Sequence, residues 1–271
     1  MADAYPRTYL FVPANRPERF DKALAAGADA VIIDLEDAVS PADKDAARAG
    51  LATWLAAFAG DRQRLLVRIN DGSTPWFADD LQMVARFRWQ AVMLPKVETP
   101  EQVARVVGAL GPQGRVVPLI ESAAGVLNVE AVARAPGVQR LAFGTLDYAL
   151  DVGLSGDERG FIEPSTRIAL ASRVAGIAPP VAGVTPDIQD ERRLLDELAF
   201  ARAFGFTSKL CIHPKQVAPI HTALAPSAAD VEWAKRVMAA VEGSSGAVQL
   251  DGKMIDRPVL LKAQAILAAA Q

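Results

Sequence analysis

Short apolar runs alternate with longer amphipathic stretches along most of this 271-residue sequence. The runs have the length and the β-branched composition of buried strands, and the stretches between them have helical periodicity, which is the pattern of successive βα units. We count eight runs, at residues 8–12, 30–35, 65–70, 91–94, 116–120, 140–145, 180–185 and 208–212. Eight parallel strands close a barrel, so the pattern predicts an α/β fold of the (β/α)8 TIM barrel type.

The chain continues beyond the eighth run with a segment of different character. A barrel of this type takes roughly 250 residues as one domain. We assign residues 1–225 to the barrel and residues 226–271 to a C-terminal helical extension, not a second domain. In this extension, a flexible Gly/Ser stretch after a first helix leads to the segment Gly252-Lys-Met-Ile-Asp256.

The composition excludes several classes of partner. The net charge is −3, with acids and bases interspersed, whereas a nucleic-acid-binding protein needs a clustered basic face. Cys211 is the only cysteine, which rules out an internal disulfide and a cysteine metal cluster. No apolar run approaches the length of about 20 residues that spans a bilayer, and the first residues lack the features of a secretory signal. We therefore expect a cytoplasmic protein without nucleic-acid or membrane partners.

Charged residues stand at the C-terminal ends of the second to sixth runs. TIM-barrel active sites lie at this end of the strands. A barrel without an active site would have no reason to focus charge there. The charged positions are Asp34, Glu36, Asp37, Arg68, Lys96, Glu121 and Asp147. This convergence predicts that the rim of the barrel is a catalytic site.

Glu121 and Asp147 come from neighbouring runs, so their carboxylates should lie on adjacent parts of the rim. Ser122, directly after Glu121, is suited to cap the helix that follows. Two acids without a soft ligand nearby suit a hard cation, most simply Mg²⁺ with Mn²⁺ as an alternative. The competing interpretation is a structural charge network with Arg68 and Lys96, and the residues alone leave both open.

The two basic residues of the rim allow two interpretations each. Arg68 suits a bidentate grip on a substrate carboxylate, and its alternative is a counter-ion for Glu36 or Asp37. Lys96 could form a Schiff base, but a paired-carboxylate site with a cation does not need one, so we assign it as a charge partner within the site.

Three further features flank the rim. Arg16, Arg19 and Lys22 could hold the phosphates of a nucleotide-bearing substrate, or they could form a solvated helix face. The segment 151–160 is the longest irregular connection, a common property of active-site lids. His213 before Pro214 is more typical of a hydrogen-bonded structural residue, and Cys211 is expected to be a buried, inert thiol.

Eight segments, in order along nearly the whole chain, carry a specific resemblance. They are residues 11–20, 33–39, 67–70, 94–98, 119–125, 143–148, 211–214 and 252–256. In these segments the chain resembles the citrate lyase beta-subunit-like branch of the HpcH/HpaI aldolase family, whose members include malyl-CoA, citramalyl-CoA and citryl-CoA lyases.

The resemblance implies a role for each candidate residue. Glu121 and Asp147 would bind Mg²⁺, and Arg68 would hold the acid end of the substrate. Glu36 and Asp37 would bind metal-bound water and orient the site. The implied roles of the remaining residues concern CoA and a neighbouring subunit: Arg19 and Lys22, with Arg16 beside them, would grip the CoA phosphates, and Asp256 would reach the active site of the next subunit in a homotrimer or dimer of trimers.

The implied reaction is reversible cleavage of a 3-hydroxyacyl-CoA thioester to a 2-keto acid and an acyl-CoA. One alternative is a metal-dependent aldolase that acts on free 2-keto and hydroxy acids. Another is a citrate lyase beta subunit that works only inside a larger complex, on a thioester carried by a partner protein. The sequence does not name the hydroxyacyl group.

Overall fold

Eight parallel strands form a closed barrel in the computed structural model, which describes residues 5–242 and 248–270. The strands are β1 (Thr8–Pro13), β2 (Ala30–Asp34), β3 (Leu65–Arg68), β4 (Ala91–Leu94), β5 (Val116–Ile120), β6 (Arg140–Phe143), β7 (Ala178–Ala182) and β8 (Ser208–Cys211). Each strand pairs with the next in the sequence, and β8 pairs with β1 to close the barrel. The predicted TIM barrel is confirmed.

Helices alternate with these strands. The α-helices of the barrel are α1 (Phe20–Leu24), α2 (Lys44–Ala57), α3 (Phe77–Val84), α4 (Pro100–Leu110), α5 (Ala123–Leu127), α6 (Val129–Ala133), α7 (Thr145–Asp151), α8 (Ile162–Ala175) and α9 (Glu191–Ala203). Short 3-10 helices span Pro17–Arg19, Pro41–Asp43, Arg62–Arg64, Glu158–Phe161 and Pro214–Gln216. As expected, Ser122 caps α5, because its hydroxyl accepts a hydrogen bond from the Gly125 amide at 3.1 Å. Gly176 ends α8 with a left-handed φ of 71°.

The last part of the chain forms its own compact unit, His221–Gln271. Helix α10 (Val217–Leu224) contains the boundary between this unit and the barrel. The unit also contains α11 (Ala228–Val241), the antiparallel strands β9 (Val248–Leu250) and β10 (Lys253–Ile255), and α12 (Arg257–Ala269). The Gly/Ser stretch expected between α11 and β9 lies outside the described residues. Among the residues described, no helix is both long and apolar enough to cross a membrane.

The ends of several strands differ from the expectation. The sixth run was expected to continue to residue 145, but β6 ends at Phe143 and α7 begins at Thr145. Asp147 consequently lies in the first turn of a helix. The expected irregular segment 151–160 begins with the last residue of α7 and ends in the 3-10 helix Glu158–Phe161. Phe143 and Leu146 lie on either side of the end of β6, so hydrophobicity alone does not mark where extended backbone stops.

The lower end of the barrel is closed by Arg140, which is completely buried. Its Nε donates to the Pro179 carbonyl at 2.9 Å and its Nη2 donates to the Ser208 hydroxyl at 2.8 Å. Its Nη1 donates to the Pro6 carbonyl and to the Tyr9 hydroxyl, each at 3.0 Å. One guanidinium therefore joins β1, β6, β7 and β8 at the end opposite the expected active site.

Replacement of Arg140 by methionine should destabilise the barrel strongly, because buried carbonyls lose their donors. We expect Arg140→Met to lower the free energy of unfolding by about 3–5 kcal/mol in urea titrations followed by circular dichroism. Arg134→Met is the matched control, since Arg134 is exposed and pairs with the exposed Glu130; its effect should stay within about 1 kcal/mol. Equal effects of the two substitutions would contradict the assigned role.

Candidate active site

A cavity of about 350 Å³ opens at the C-terminal ends of the strands. Its polar wall contains Asp34, Asp37, Arg68, Glu121, Thr145 and Asp147. Its apolar wall includes Phe11, Leu119, Val184 and Leu210. The structure thus brings Asp37, Arg68, Glu121 and Asp147 together at the rim where the sequence predicts a site.

Arg68 is the cation at the centre of this polar wall. The register of β2 and β3 sets Asp34 beside Arg68. The guanidinium makes a bidentate pair with Asp34, in which Nε and Nη2 each lie 2.7 Å from one carboxylate oxygen. Its Nη1 also lies 2.8 Å from Glu36 Oε2 and 3.4 Å from Asp37 Oδ2. Arg68 is therefore a counter-ion for three carboxylates, which was the alternative that the sequence left open, and a substrate carboxylate would have to share it.

The electrostatic balance of Arg68 favours its charged form. Burial opposes the charge, but Asp34 and Glu36 more than compensate and raise the pKa of Arg68 above its ordinary value. The guanidinium carbon also lies 4.9 Å from the centre of the Phe11 ring, within the range of a cation–π contact. These contacts fix the guanidinium plane in the cavity wall.

Glu36 is a buried acid with an incompletely satisfied carboxylate. Burial, Asp37 and Asp34 raise its pKa to about 7, although Arg68 acts in the opposite direction. Its Oε2 faces Arg68 but has no partner in hydrogen-bond geometry among the described residues. A buried carboxylate oxygen without a hydrogen bond is costly, and it suits a position that another group occupies during function.

Glu121 follows β5 and points into the cavity with only 4% of its surface exposed. Burial and the nearby Glu36 and Asp147 raise its pKa to about 8, while the hydrogen bond from the Lys96 amide lowers it. That amide donates to Glu121 Oε1 at 2.7 Å. Asp147, in the first turn of α7, lines the same cavity.

Gly144 leaves the space that Glu121 occupies. A Cβ at this position would overlap Glu121 Oε2 and lie 2.6 Å from the Glu121 Cβ. Gly144 has a φ of −84°, which any residue can adopt, so the requirement for glycine is one of space. The sequence analysis did not recognise this requirement.

Lys96 presents its backbone to the site in a left-handed conformation, with a φ of 52°. Such a conformation is uncommon for a residue with a side chain and is often found where function constrains the backbone. Burial lowers the pKa of Lys96, but Glu36, Asp71 and Glu121 outweigh it and raise the pKa overall. Its ammonium group is thus electrostatically coupled to two acids of the cavity.

The donor set fits a hard divalent cation. The carboxylates of Glu121, which is buried, and Asp147 both line the cavity and repel each other. The positive charge of Arg68 does not fully offset this repulsion, because the pKa of Glu121 remains raised. Within residues 5–242 and 248–270, no group of three or more His, Cys, Asp or Glu side chains has the geometry of a metal site. Mg²⁺ binds through one or two carboxylates and completes its coordination with water and substrate oxygens, so two ligands are sufficient.

Other predicted residues lie outside the cavity wall. Arg16 and Arg19 are exposed and contact Glu18, at 2.7 and 3.9 Å, and Lys22 is exposed on α1. Their exposure is compatible with both alternatives that the sequence left open, a solvated helix face and a phosphate contact.

Two residues act locally as caps. Asp256, in the second unit, accepts a hydrogen bond from the Val259 amide at 3.0 Å and caps α12. His213 Nδ1 accepts from the Lys215 amide at 3.2 Å, in keeping with the structural role expected for it.

Cys211 is fully buried, and burial raises the pKa of its thiol to about 12, so it is unreactive as expected.

The sequence analysis placed Asp34 at the charged rim but gave it no role of its own. Asp34 is the last residue of β2 and the bidentate partner of Arg68. The available signal was that Asp34 ends one strand and Arg68 ends the next. Recognising the pair requires the strand register, which the sequence pattern does not show.

A TIM barrel with an acid-rich cavity at the C-terminal rim is the arrangement of a barrel enzyme. The sequence profile of the HpcH/HpaI aldolase/citrate lyase family matches residues 7–214, and the profile of a carbon–carbon bond lyase of the TIM-barrel fold matches residues 165–271. The chain belongs to the HpcH/HpaI aldolase/citrate lyase family, and it is a lyase of that family.

Known relatives align along almost the entire chain. A citrate lyase subunit beta-like protein of Mycobacterium tuberculosis is 38% identical, and the alignment covers 97% of this chain and 94% of the relative. A (3S)-malyl-CoA thioesterase of Cereibacter sphaeroides is 32% identical over 99% of this chain and 96% of its own. The crystal structure of CitE from M. tuberculosis, in complex with magnesium, acetoacetate and coenzyme A, has a TM-score of 0.86 at 36% identity and covers 100% of this chain and 99% of CitE.

The raised pKa values of Glu36 and Glu121, about 7 and about 8, predict a pH-dependent stability of the metal-free protein. The folded chain retains protons that the unfolded chain releases, so these acids stabilise the fold at low pH. This contribution is lost as the pH rises towards 8. In urea titrations with a chelator, the free energy of unfolding should fall between pH 5 and pH 8.5. Glu121→Gln should remove on the order of 2–4 kcal/mol of that fall; an unchanged pH slope would contradict the assigned pKa.

Proposed function

We propose that this protein is a Mg²⁺-dependent lyase that reversibly cleaves a 3-hydroxyacyl-CoA thioester to a 2-keto acid and an acyl-CoA. The observation that carries the proposal is the convergence of Glu121, Asp147 and Arg68 on one cavity at the barrel rim. The similarity to CitE, whose structure contains magnesium, acetoacetate and coenzyme A, supports the choice of substrate class.

Glu121 and Asp147 are the residues that would hold Mg²⁺. When bound, the cation would act as a Lewis acid that stabilises negative charge on the substrate oxygens. Arg68 would bind the acid end of the substrate while it remains paired with Asp34. Glu36 and Asp37 would orient the polar groups in the cavity.

Cleavage requires one proton to leave and another to be supplied. The substrate hydroxyl loses its proton, the bond between the carbinol carbon and the acyl α-carbon breaks, and the α-carbon gains a proton. Glu36, whose pKa burial raises to about 7 in the metal-free chain, would accept the hydroxyl proton. We assign protonation of the α-carbon to Asp256 from a neighbouring subunit, in a homotrimer or a dimer of trimers.

The basic cluster on the first βα connection is the proposed contact for the CoA phosphates. Arg16, Arg19 and Lys22 are exposed there and are close together in the sequence. Exposed guanidinium and ammonium groups of this kind would bind phosphate through charge, in competition with the contacts that Arg16 and Arg19 make with Glu18.

Thioester hydrolysis is a second candidate function, because the relative from C. sphaeroides is a (3S)-malyl-CoA thioesterase of nearly the same span. The two reactions give different products. Cleavage releases a 2-keto acid and leaves the CoA thioester intact, whereas hydrolysis releases free CoA thiol and a hydroxy acid.

A panel of malyl-, citramalyl- and citryl-CoA with Mg²⁺ tests the proposal. We expect 2-keto acid, measured by coupled reduction, without an equal amount of free thiol. Stoichiometric thiol release would favour hydrolysis, and turnover of free hydroxy acids alone would favour the aldolase alternative. Activity only with a thioester on a carrier protein would favour the subunit of a larger complex.

Gly144 provides a test of the proposed metal ligands. Gly144→Ala should displace the Glu121 carboxylate and weaken Mg²⁺ binding by about tenfold or more in isothermal titration calorimetry. Gly50→Ala, in α2, is the matched control, because a Cβ there meets nothing within 4 Å. If Gly144→Ala bound Mg²⁺ like the wild type, Glu121 would not be the ligand.

Asp256→Asn separates proton transfer from helix capping. Asparagine caps helices as well as aspartate, so the thermal midpoint should stay unchanged. Cleavage should fall by about 10²-fold or more, because the amide cannot donate the proton. Asp190→Asn, at the equivalent cap of α9, is the control and should retain full activity. Full activity of Asp256→Asn would show that the assigned proton donor is wrong.

A further inference from the structure

Lys44, the first residue of α2, is a buried lysine with an unusual set of partners. Only 5% of its surface is exposed. Its Nζ donates to the backbone carbonyls of Leu35 at 2.7 Å and Glu36 at 2.8 Å. Buried lysines usually pair with a carboxylate, yet no carboxylate within the described chain lies within 4.0 Å of this nitrogen. Its third neighbour is the Trp76 ring, 5.2 Å from Nζ to the ring centre.

The two carbonyls belong to the turn that carries the acids of the cavity, residues 35–38. The opposite side of this turn is also held by side chains. The Asp34 carboxylate accepts hydrogen bonds from the Glu36 amide at 2.9 Å and the Ala38 amide at 3.1 Å. The Asp34 carboxylate therefore binds two N–H groups of this turn, and the Lys44 ammonium group binds two of its carbonyls.

A second group of side chains, from α2, α3 and the segment that follows β3, reinforces this arrangement. Asn70 Nδ2 donates to the Leu35 carbonyl at 3.2 Å and to Asp80 Oδ2 at 2.7 Å. Arg48 Nε in turn donates to Asp80 Oδ1 at 2.9 Å. These residues form a connected buried network behind the active-site cavity, and a network of this kind is expected to set a single backbone geometry.

Glu36 depends on that backbone geometry. Its Oε2 lies 2.8 Å from Arg68 Nη1 but not in hydrogen-bond geometry, so this ion pair attracts the carboxylate without setting its orientation. Loss of the Lys44 ammonium group would remove one of two donors from each carbonyl, leaving the Leu35 carbonyl with Asn70 Nδ2 and the Glu36 carbonyl with the Val39 amide. It would also remove a positive charge that interacts with Asp34 and Glu36.

We infer that Lys44 is a positioning residue for the lyase reaction: it holds the carbonyl side of the 35–38 turn and thereby places the Glu36 carboxylate beside Arg68. Lys44 does not line the cavity, so it acts through Glu36 and not on the substrate. The kinetic part of this inference rests on the proposed function, but the structural part does not.

Lys44→Met keeps the aliphatic stem and removes the ammonium group, whereas Lys44→Arg keeps a cation with several donors. Lys44→Met should lower kcat by about tenfold or more and leave KM for the thioester within about twofold. Lys44→Arg should restore most of kcat. A change confined to KM, or no recovery with arginine, would overturn the inference. Lys235→Met is the control, because Lys235 is exposed on α11.

A double-mutant cycle tests whether Lys44 acts through Glu36. In a Glu36→Gln background, Lys44→Met should reduce kcat little further, since the carboxylate that it places is already absent. Multiplicative losses would show that the two residues act independently, and the inference would be wrong.

Hydrogen exchange tests the turn without any catalysis. In the metal-free protein, Lys44→Met should accelerate exchange of the Glu36 and Ala38 amides and leave the amides of β5 unchanged. If the wild type cleaves no thioester, the proposed function fails while this measurement still decides the role of Lys44. Unchanged exchange at both amides would overturn it. Should Lys44→Met not fold, Lys44→Gln, which retains a donor, carries the same measurements.

Discussion

The bidentate pair between Asp34 and Arg68 is the interaction on which the geometry of the barrel rim depends. Neighbouring strands set the two residues side by side. Arg68 then draws Glu36 and Asp37 towards the cavity, while Asp34 accepts the amides of the turn that carries them. A single ion pair therefore joins the strand register to the position of the acids. Its burial matters, because an exposed pair would be too weakly held to do this.

The acids that surround this pair outnumber the cations near them. Glu36 and Glu121 both have raised pKa values because they are buried close to other carboxylates. Such an arrangement destabilises the metal-free fold near neutral pH, and a divalent cation would relieve it. The family membership, the CitE similarity and the local electrostatics thus favour the same kind of site, although each depends on different observations.

The barrel was predictable because strands buried on both faces read as apolar runs, and the candidate acids were predictable because a barrel gathers its strand ends on one rim. Contacts between distant segments were not. Asp34 with Arg68 requires the strand register, and Lys44 with Leu35 requires knowledge of where α2 begins. Arg140 reads as an ordinary strand residue, yet it joins four strands at the lower end. Gly144 and Thr145 likewise gave no sign in the sequence that α7 begins at Thr145.

Because Gly144 has no side chain, substitutions at positions 144 and 121 depend on each other. The space that a Cβ would fill is already occupied by Glu121. A lineage that acquires a larger residue at 144 must therefore move the Glu121 side chain or replace it with a shorter one. Redesign of this rim for another cation faces the same constraint, because the two positions can change only together.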